Sequence, residues 1–153
     1  MIDIQNLDFY DSRFLLNEFQ GLEKSFGMDW YDCEDENAKY IWVINGVDNP
    51  LGFLSYKILF DSIIKEYIYI VKIYVLSQYR GQTPILIEEE RVSEILFRQI
   101  ERQGINILTL ESACEELDDY YESLGFRNIQ EVNNGFSQIT GTHAKIIVKT
   151  VVR

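Results

Sequence analysis

The stretch from Glu66 to Leu76, EYIYIVKIYVL, constrains the fold of this chain more than any other. It is built from β-branched and aromatic residues, which suit a pleated, buried surface, so it reads as a long strand at the centre of a sheet. The flanking segments are then read relative to it. YIWVIN and LGFLSYKIL lie on either side of GVDNP, a run of turn formers, and predict a hairpin leading into the central strand through a polar turn at Asp61 and Ser62. Ahead of the hairpin, Phe14, Leu15, Phe19 and Leu22 fall at helical spacing within Ser12 to Lys24. Beyond the central strand, Val92, Ile95, Leu96, Phe97 and Ile100 line one side of a second helix that Gly104 should stop. INILTLE follows as a strand. SACEELDDYYESLGF then gives a third helix, with Ser112 and Glu115 in capping-box spacing, Leu117, Tyr120, Tyr121 and Leu124 on one face, and Gly125 as its end. FRNIQEV and AKIIVKTVV make a last hairpin. The expected order is a helix, three strands, then helix, strand, helix and two strands.

At 153 residues, with 46% hydrophobic and 14% aromatic content, the chain suits one domain with a sizeable core, 1–153. Its formal charge is −11, from 25 acidic against 14 basic residues, so its field repels nucleic-acid backbones and anionic membrane surfaces and favours cationic partners such as amines. Neither a nucleic acid nor a membrane is therefore expected as a partner. Cys33 and Cys114 are far apart and form no CxxC motif, which suits a reducing, cytoplasmic setting. MIDIQNLDFYDSR lacks the apolar core of a signal peptide, and no apolar run approaches the ~20 residues of a spanning helix.

The most informative loop follows the central strand: Gln78-Tyr79-Arg80-Gly81-Gln82-Thr83. Successive backbone N–H groups turned inward make an anion nest, a helix N-terminus adds a favourable field, and glycine lets the backbone approach a phosphate closely. The same residues also read as an ordinary helix start, with Thr83 as cap and Pro84 in the first turn. Together with the element order, KIYVLSQYRGQ and the later YYESLGF, this loop resembles the GNAT family of acyl-CoA-dependent N-acetyltransferases over nearly the whole chain. The resemblance implies an α/β fold with a single mixed sheet, mostly antiparallel, with a parallel pair between the central strand and the one after it, flanked by helices. It implies acetyl-CoA as the acyl donor and an amine as acceptor, and it is compatible with a homodimer. The family pattern is Gln/Arg-x-x-Gly-x-Gly/Ala, which assigns donor binding to Leu76, Gln78, Arg80, Gly81, Gln82 and Thr83. Thr83 replaces the last glycine or alanine, and Pro84 has no N–H to offer. The segment to Gly104 is also longer than the family's by about one turn of ~3.6 residues. Either the helix gains a turn or the loop bulges, and Glu88-Glu89-Glu90 would fall near the helix start, where they suit the macrodipole but compete with phosphate.

In such enzymes a backbone N–H of the central strand polarises the thioester, a neutral amine attacks, and an acid protonates the departing thiolate. The resemblance gives the acid to Tyr121, with Tyr120 as the neighbouring alternative; both also read as packing residues of a helical stripe. Cys114 stands where relatives carry an asparagine. Val71 stands where they often carry a glutamate base, and Glu66, the nearest carboxylate, lies five residues away at ~3.3 Å each, so no base is assigned. The lone His143 pairs with neither cysteine in any recognisable pattern. The acidic run Asp29, Asp32, Glu34, Asp35 and Glu36, beside Trp30 and Tyr31, reads as a solvated loop or as an acceptor wall for a cation. It lacks the glycine and terminal glutamate of a calcium loop, and two cysteines with one histidine cannot complete a zinc site, so no metal is expected. The sequence thus points to an N-acetyltransferase of a small amine or peptide. The alternative is a catalytically inactive GNAT-like acyl-CoA sensor or protein-interaction subunit.

Overall fold

The structure is a computed structural model, and it describes residues 2–22, 36–112, 115–129 and 139–147. The elements run β1 (Ile2–Asp8), α1 (Phe9–Leu22), β2 (Lys39–Asn45), β3 (Asn49–Asp61), β4 (Lys65–Val75), a 3-10 turn (Ser77–Tyr79), α2 (Val92–Glu101), β5 (Ile107–Leu110), α3 (Glu115–Ser123), β6 (Arg127–Asn128) and β7 (His143–Ile146). Seven strands form one mixed sheet in the order β1-β2-β3-β4-β5-β7-β6. β4 and β5 are parallel, with Ile68 opposite Leu108 and Ile70 opposite Leu110, whereas β1/β2, β2/β3, β5/β7 and β6/β7 are antiparallel. The expected mixed sheet with its parallel central pair is therefore present.

By contacts the chain divides into two compact units, one of residues 1–56 and 72–100 and one of residues 57–71 and 101–153. In the first, the core is aromatic. Trp42 and Phe53 lie 4.7 Å apart between ring centroids, and Phe19 meets Phe53 edge-on at 5.5 Å. Such pairs contribute ~0.5–1.5 kcal/mol beyond their buried area. The Trp42 indole N–H donates to the buried Ser12 hydroxyl at 3.0 Å, which binds α1 to the sheet and satisfies a donor that would otherwise be orphaned. α1 begins earlier than its apolar spacing indicates, because Asp8 supplies the cap: its carboxylate accepts the Asp11 N–H at 2.7 Å.

Gly52 brings β3 against the end of β4 and the start of α2. A Cβ there would lie 2.8 Å from the Tyr74 carbonyl oxygen and 3.0 Å from Val92 Cγ1. The nearer obstacle is backbone and cannot rotate away.

In the second unit, Asp61 is buried and accepts the N–H groups of Ile63 and Ile64 at 2.9 and 3.1 Å, fixing the β3–β4 turn. β5 is tied to β4 by the Thr109 hydroxyl, which donates to the Ile68 carbonyl at 3.1 Å. At the carboxyl end of β5, Gly141 lies so close that an added Cβ would meet the Leu110 oxygen at 2.7 Å, and the Thr142 N–H donates to that oxygen at 2.9 Å. Ser112 is not the cap of α3, which begins only at Glu115. Its N–H donates to Thr142 Oγ1 and its hydroxyl to Asp118.

Gly52→Ala should lower stability by about 1–3 kcal/mol through overpacking. Gly21→Ala, where an added Cβ meets nothing within 4 Å, serves as the control. Urea denaturation midpoints check this, and equal midpoints for the two variants would contradict the close approach.

Candidate functional site

β4 ends at Val75, and the chain leaves it through two protein hydrogen bonds. The Leu76 N–H donates to the Leu51 carbonyl at 2.9 Å, and the Leu76 carbonyl accepts the Tyr79 N–H at 2.9 Å. Leu76 is buried, so it anchors the loop, and its amide bonds to protein. Gln78, Gly81, Gln82 and Thr83 are exposed, and Gly81 has φ +87°, the left-handed region that a nest requires at alternate residues. Arg80 is half-buried and its Nε–H donates to the Val75 carbonyl at 3.0 Å, holding the guanidinium against the strand end. The Ile85 N–H closes the loop onto the Gln78 carbonyl at 2.8 Å. The structure thus brings Gln78, Arg80, Gly81, Gln82 and Thr83 into one short exposed loop, with Leu76 as its buried root.

Tyr121 lies on α3 in the second unit. LGF explains its placement. Gly125, at φ +100°, donates its N–H to the Glu122 carbonyl at 3.0 Å, while the Phe126 N–H reaches the Tyr121 carbonyl at 3.1 Å. That pair is a Schellman motif, and its usual apolar contact is present as the Tyr121 and Phe126 rings, 6.2 Å apart and edge-on. The Tyr121 ring is 8% exposed, with Tyr120 5.8 Å away. On the stripe expected to be buried, Leu117 is 37% exposed and Tyr121 carries most of the burial.

A cluster that sequence reasoning passed over surrounds His143. The residue opens β7 opposite Leu110, and only 4% of it is exposed. Its Nδ1 lies 2.8 Å from Thr142 Oγ1, and its Nε2 lies 3.9 Å from Asp118 Oδ1. A histidine directly after Thr-Gly-Thr at a strand start was the available signal. Of the acidic run, Glu36 alone is among the described residues; its carboxylate accepts a hydrogen bond from the Tyr10 hydroxyl, which raises that phenol's pKa. Asp29 to Asp35, Cys33 and Cys114 lie outside the described residues.

No family model matches the sequence, and no curated protein matches it. Solved structures do match. An acetyltransferase of the GNAT family from Staphylococcus aureus Mu50 aligns at TM-score 0.58 and 15% identity, covering 97% of this chain and 100% of that one. The chain has the GNAT acetyltransferase fold. A ribosomal-protein-alanine N-acetyltransferase from Brucella melitensis aligns at TM-score 0.56 and 21% identity over 81% of this chain and 90% of that one. A chain of the NatC complex, solved bound to Gag peptide and CoA, aligns at 0.58 and 19% over 96% and 99%. Among the described residues no helix is long and apolar enough to cross a membrane.

In the crossover from β4 to α2 the bulging loop, one of the two expected alternatives, is the one observed. The extra length goes into the loop. After Ile85 the chain makes a two-residue hairpin: Ile87 and Glu90 exchange N–H to O bonds of 2.8 and 2.9 Å, with Glu88 and Glu89 at φ +48° and +71° in the turn. Glu90 then pairs with Arg98 on α2, and the Glu94 carboxylate accepts the Arg91 N–H at 3.3 Å, the half of a capping box that α2 retains. α2 therefore starts at Val92, not beside Thr83. Thr83 is therefore not the cap of α2, and Pro84 is a loop residue rather than part of its first turn. Glu88 and Glu89 sit at the hairpin tip ahead of the helix.

Two successive left-handed residues that carry side chains are unfavourable where Asn-Gly is preferred. Glu88→Asn with Glu89→Gly should raise stability by about 1 kcal/mol, or roughly 2–4 °C in Tm for a chain of this size. A calorimetric Tm that stays put or falls would contradict the hairpin geometry.

Proposed function

We propose that the chain, as one N-acetyltransferase-like domain over residues 1–153, transfers the acetyl group of acetyl-CoA to a primary amine of a small molecule or peptide. The observation that carries this reading is the GNAT fold combined with the Gln78–Thr83 loop at the carboxyl end of β4, where ligands of such sheets bind. CoA supplies the activated thioester. The residues present fit its diphosphate in part: Gly81 is exposed and in the left-handed region, and Arg80 adds a positive charge fixed by its bond to Val75. Phosphate binding in this reading rests on the loop's N–H groups and on Arg80. Charge-assisted hydrogen bonds of this kind are worth ~1.5–3 kcal/mol each.

Tyr121 is assigned the proton donated to the leaving thiolate. Its ring packs edge-on against Phe126 at the Schellman turn that ends α3. The net acidity of the chain favours a cationic acceptor, consistent with an amine. The reading also includes acetyl transfer inside the cytoplasm.

Acetyl-CoA should raise the Tm of the protein, and Arg80→Glu should lose most of that shift relative to its own unliganded Tm. An unchanged shift would move the donor site elsewhere. Tyr121→Phe should lower kcat by about 10²-fold while keeping the CoA-induced Tm shift, because only the hydroxyl is removed. Equal turnover in steady-state thiol-release assays would leave Tyr121 as a packing residue alone.

A further inference from the structure

A cavity of about 380 Å³ opens in the second unit, lined by Ile64, Glu66, Gly104, Ile105, Asn106 and Ile107. Its size falls within the range of small-molecule sites. It lies at the amino ends of the parallel strands β4 and β5, and none of the residues assigned above to acetyl transfer lines it. We propose that it is a binding site for a primary alkylammonium compound, a reading that stands independently of acetyl transfer.

The chemistry of the walls selects that ligand. Ile64, Ile105 and Ile107 are half-buried, so they keep apolar surface that an alkyl chain would cover. Glu66 is exposed, and among the described residues no hydrogen bond or ion pair engages its carboxylate; the same holds for the side-chain amide of Asn106. A carboxylate and a carboxamide oxygen both accept hydrogen bonds, and an ammonium has three N–H groups to give. Bonds between an ionised donor and an ionised acceptor are the stronger kind. An anion meets repulsion from Glu66 and from the chain's formal charge of −11. A neutral alcohol covers the apolar wall but leaves the carboxylate without a charged partner.

The neighbouring cation does not take that place. Lys65 has φ +70°, and its ammonium lies 6.0 Å from the centroid of the Phe60 ring and 3.5 Å from the Ser62 carbonyl oxygen. It is held on its own turn, and successive side chains of a strand point to opposite faces, which separates it from Glu66. Both walls of the cavity are fixed by hydrogen bonds. The Asp61 carboxylate accepts the Ile63 and Ile64 N–H groups at 2.9 and 3.1 Å on one side, and the Asn106 carbonyl accepts the Ile147 N–H at 2.7 Å on the other. Little ordering is left for a ligand to bring about, which lowers the entropic cost of binding. Because Glu66 is solvated, the affinity is modest, with a Kd on the order of 1 mM.

The test titrates the protein, with no acyl donor present, against hexylammonium, hexanoate and hexanol, and follows the backbone amides by proton–nitrogen correlation NMR. Hexylammonium should shift the Gly104, Ile105 and Asn106 amides saturably, and hexanoate should not. Glu66→Gln should raise the Kd for hexylammonium by about 5-fold and leave the response to hexanol unchanged. In the parent protein, raising the salt from ~0.1 to ~1 M should also raise that Kd, since the Debye length falls from ~10 to ~3 Å. The proposal is overturned by the absence of saturable shifts at residues 104–106, by an equal response to hexanoate, or by a Glu66→Gln titration that matches the parent. Saturation confined to other residues would overturn it as well, by placing the amine elsewhere. If Glu66→Gln does not fold, the salt comparison decides, and a Kd that salt leaves unmoved would contradict the assignment.

Discussion

The parallel pairing of β4 with β5 is the constraint on which the second unit depends. Parallel neighbours cannot be joined by a tight turn, so a long connection, residues 76–106, links them, and it carries both the Gln78–Thr83 loop and α2. The pairing is short, from Ile68 to Ile70, and β4 continues to Val75. Thr109 reinforces it by donating to the Ile68 carbonyl from a fully buried position. Gly52 is the matching device at the other end of β4, since any side chain there would strike the Tyr74 carbonyl.

Much of this was legible from periodicity and turn chemistry. β2, β3 and β4 emerge within a few residues of their expected limits because Val, Ile, Tyr and Phe dominate them and Asp61, Asn49 and Pro50 mark their ends. β1 was not foreseen. In Ile2–Asp8 only Ile2, Ile4 and Leu7 are apolar, these three are half-buried while the other four residues are exposed, and the strand sits at the sheet edge, where polar residues are tolerated. Its pairing with β2 over seven register positions supplies what local propensity does not.

The loop shows why a motif and its setting must be separated. Thr83-Pro84 has the residue types of a helix start, and the glutamates after it suit a first turn. Bonds within the loop decide otherwise: Ile85 returns to Gln78, Ile87 pairs with Glu90, and Glu90 reaches Arg98, so the helix waits for Val92. The QYRG stretch survives as an exposed bend with a left-handed glycine and an anchored arginine. A sequence window cannot report such bonds because each partner is a plausible helix residue by itself. The His143 cluster was hidden for a related reason: Ser112, Asp118, Thr142 and His143 are brought together only when β7 inserts beside β5.

The most direct measurement of the central claim is the fate of the acyl group. Incubating the protein with acetyl-CoA labelled with carbon-13 at the carbonyl, together with primary amines, and following the carbonyl resonance by NMR distinguishes the outcomes in one spectrum. The account predicts an amide carbonyl growing in step with free CoA thiol, one for one. A thioester that persists unchanged, or that turns into acetate with no amide, would contradict it.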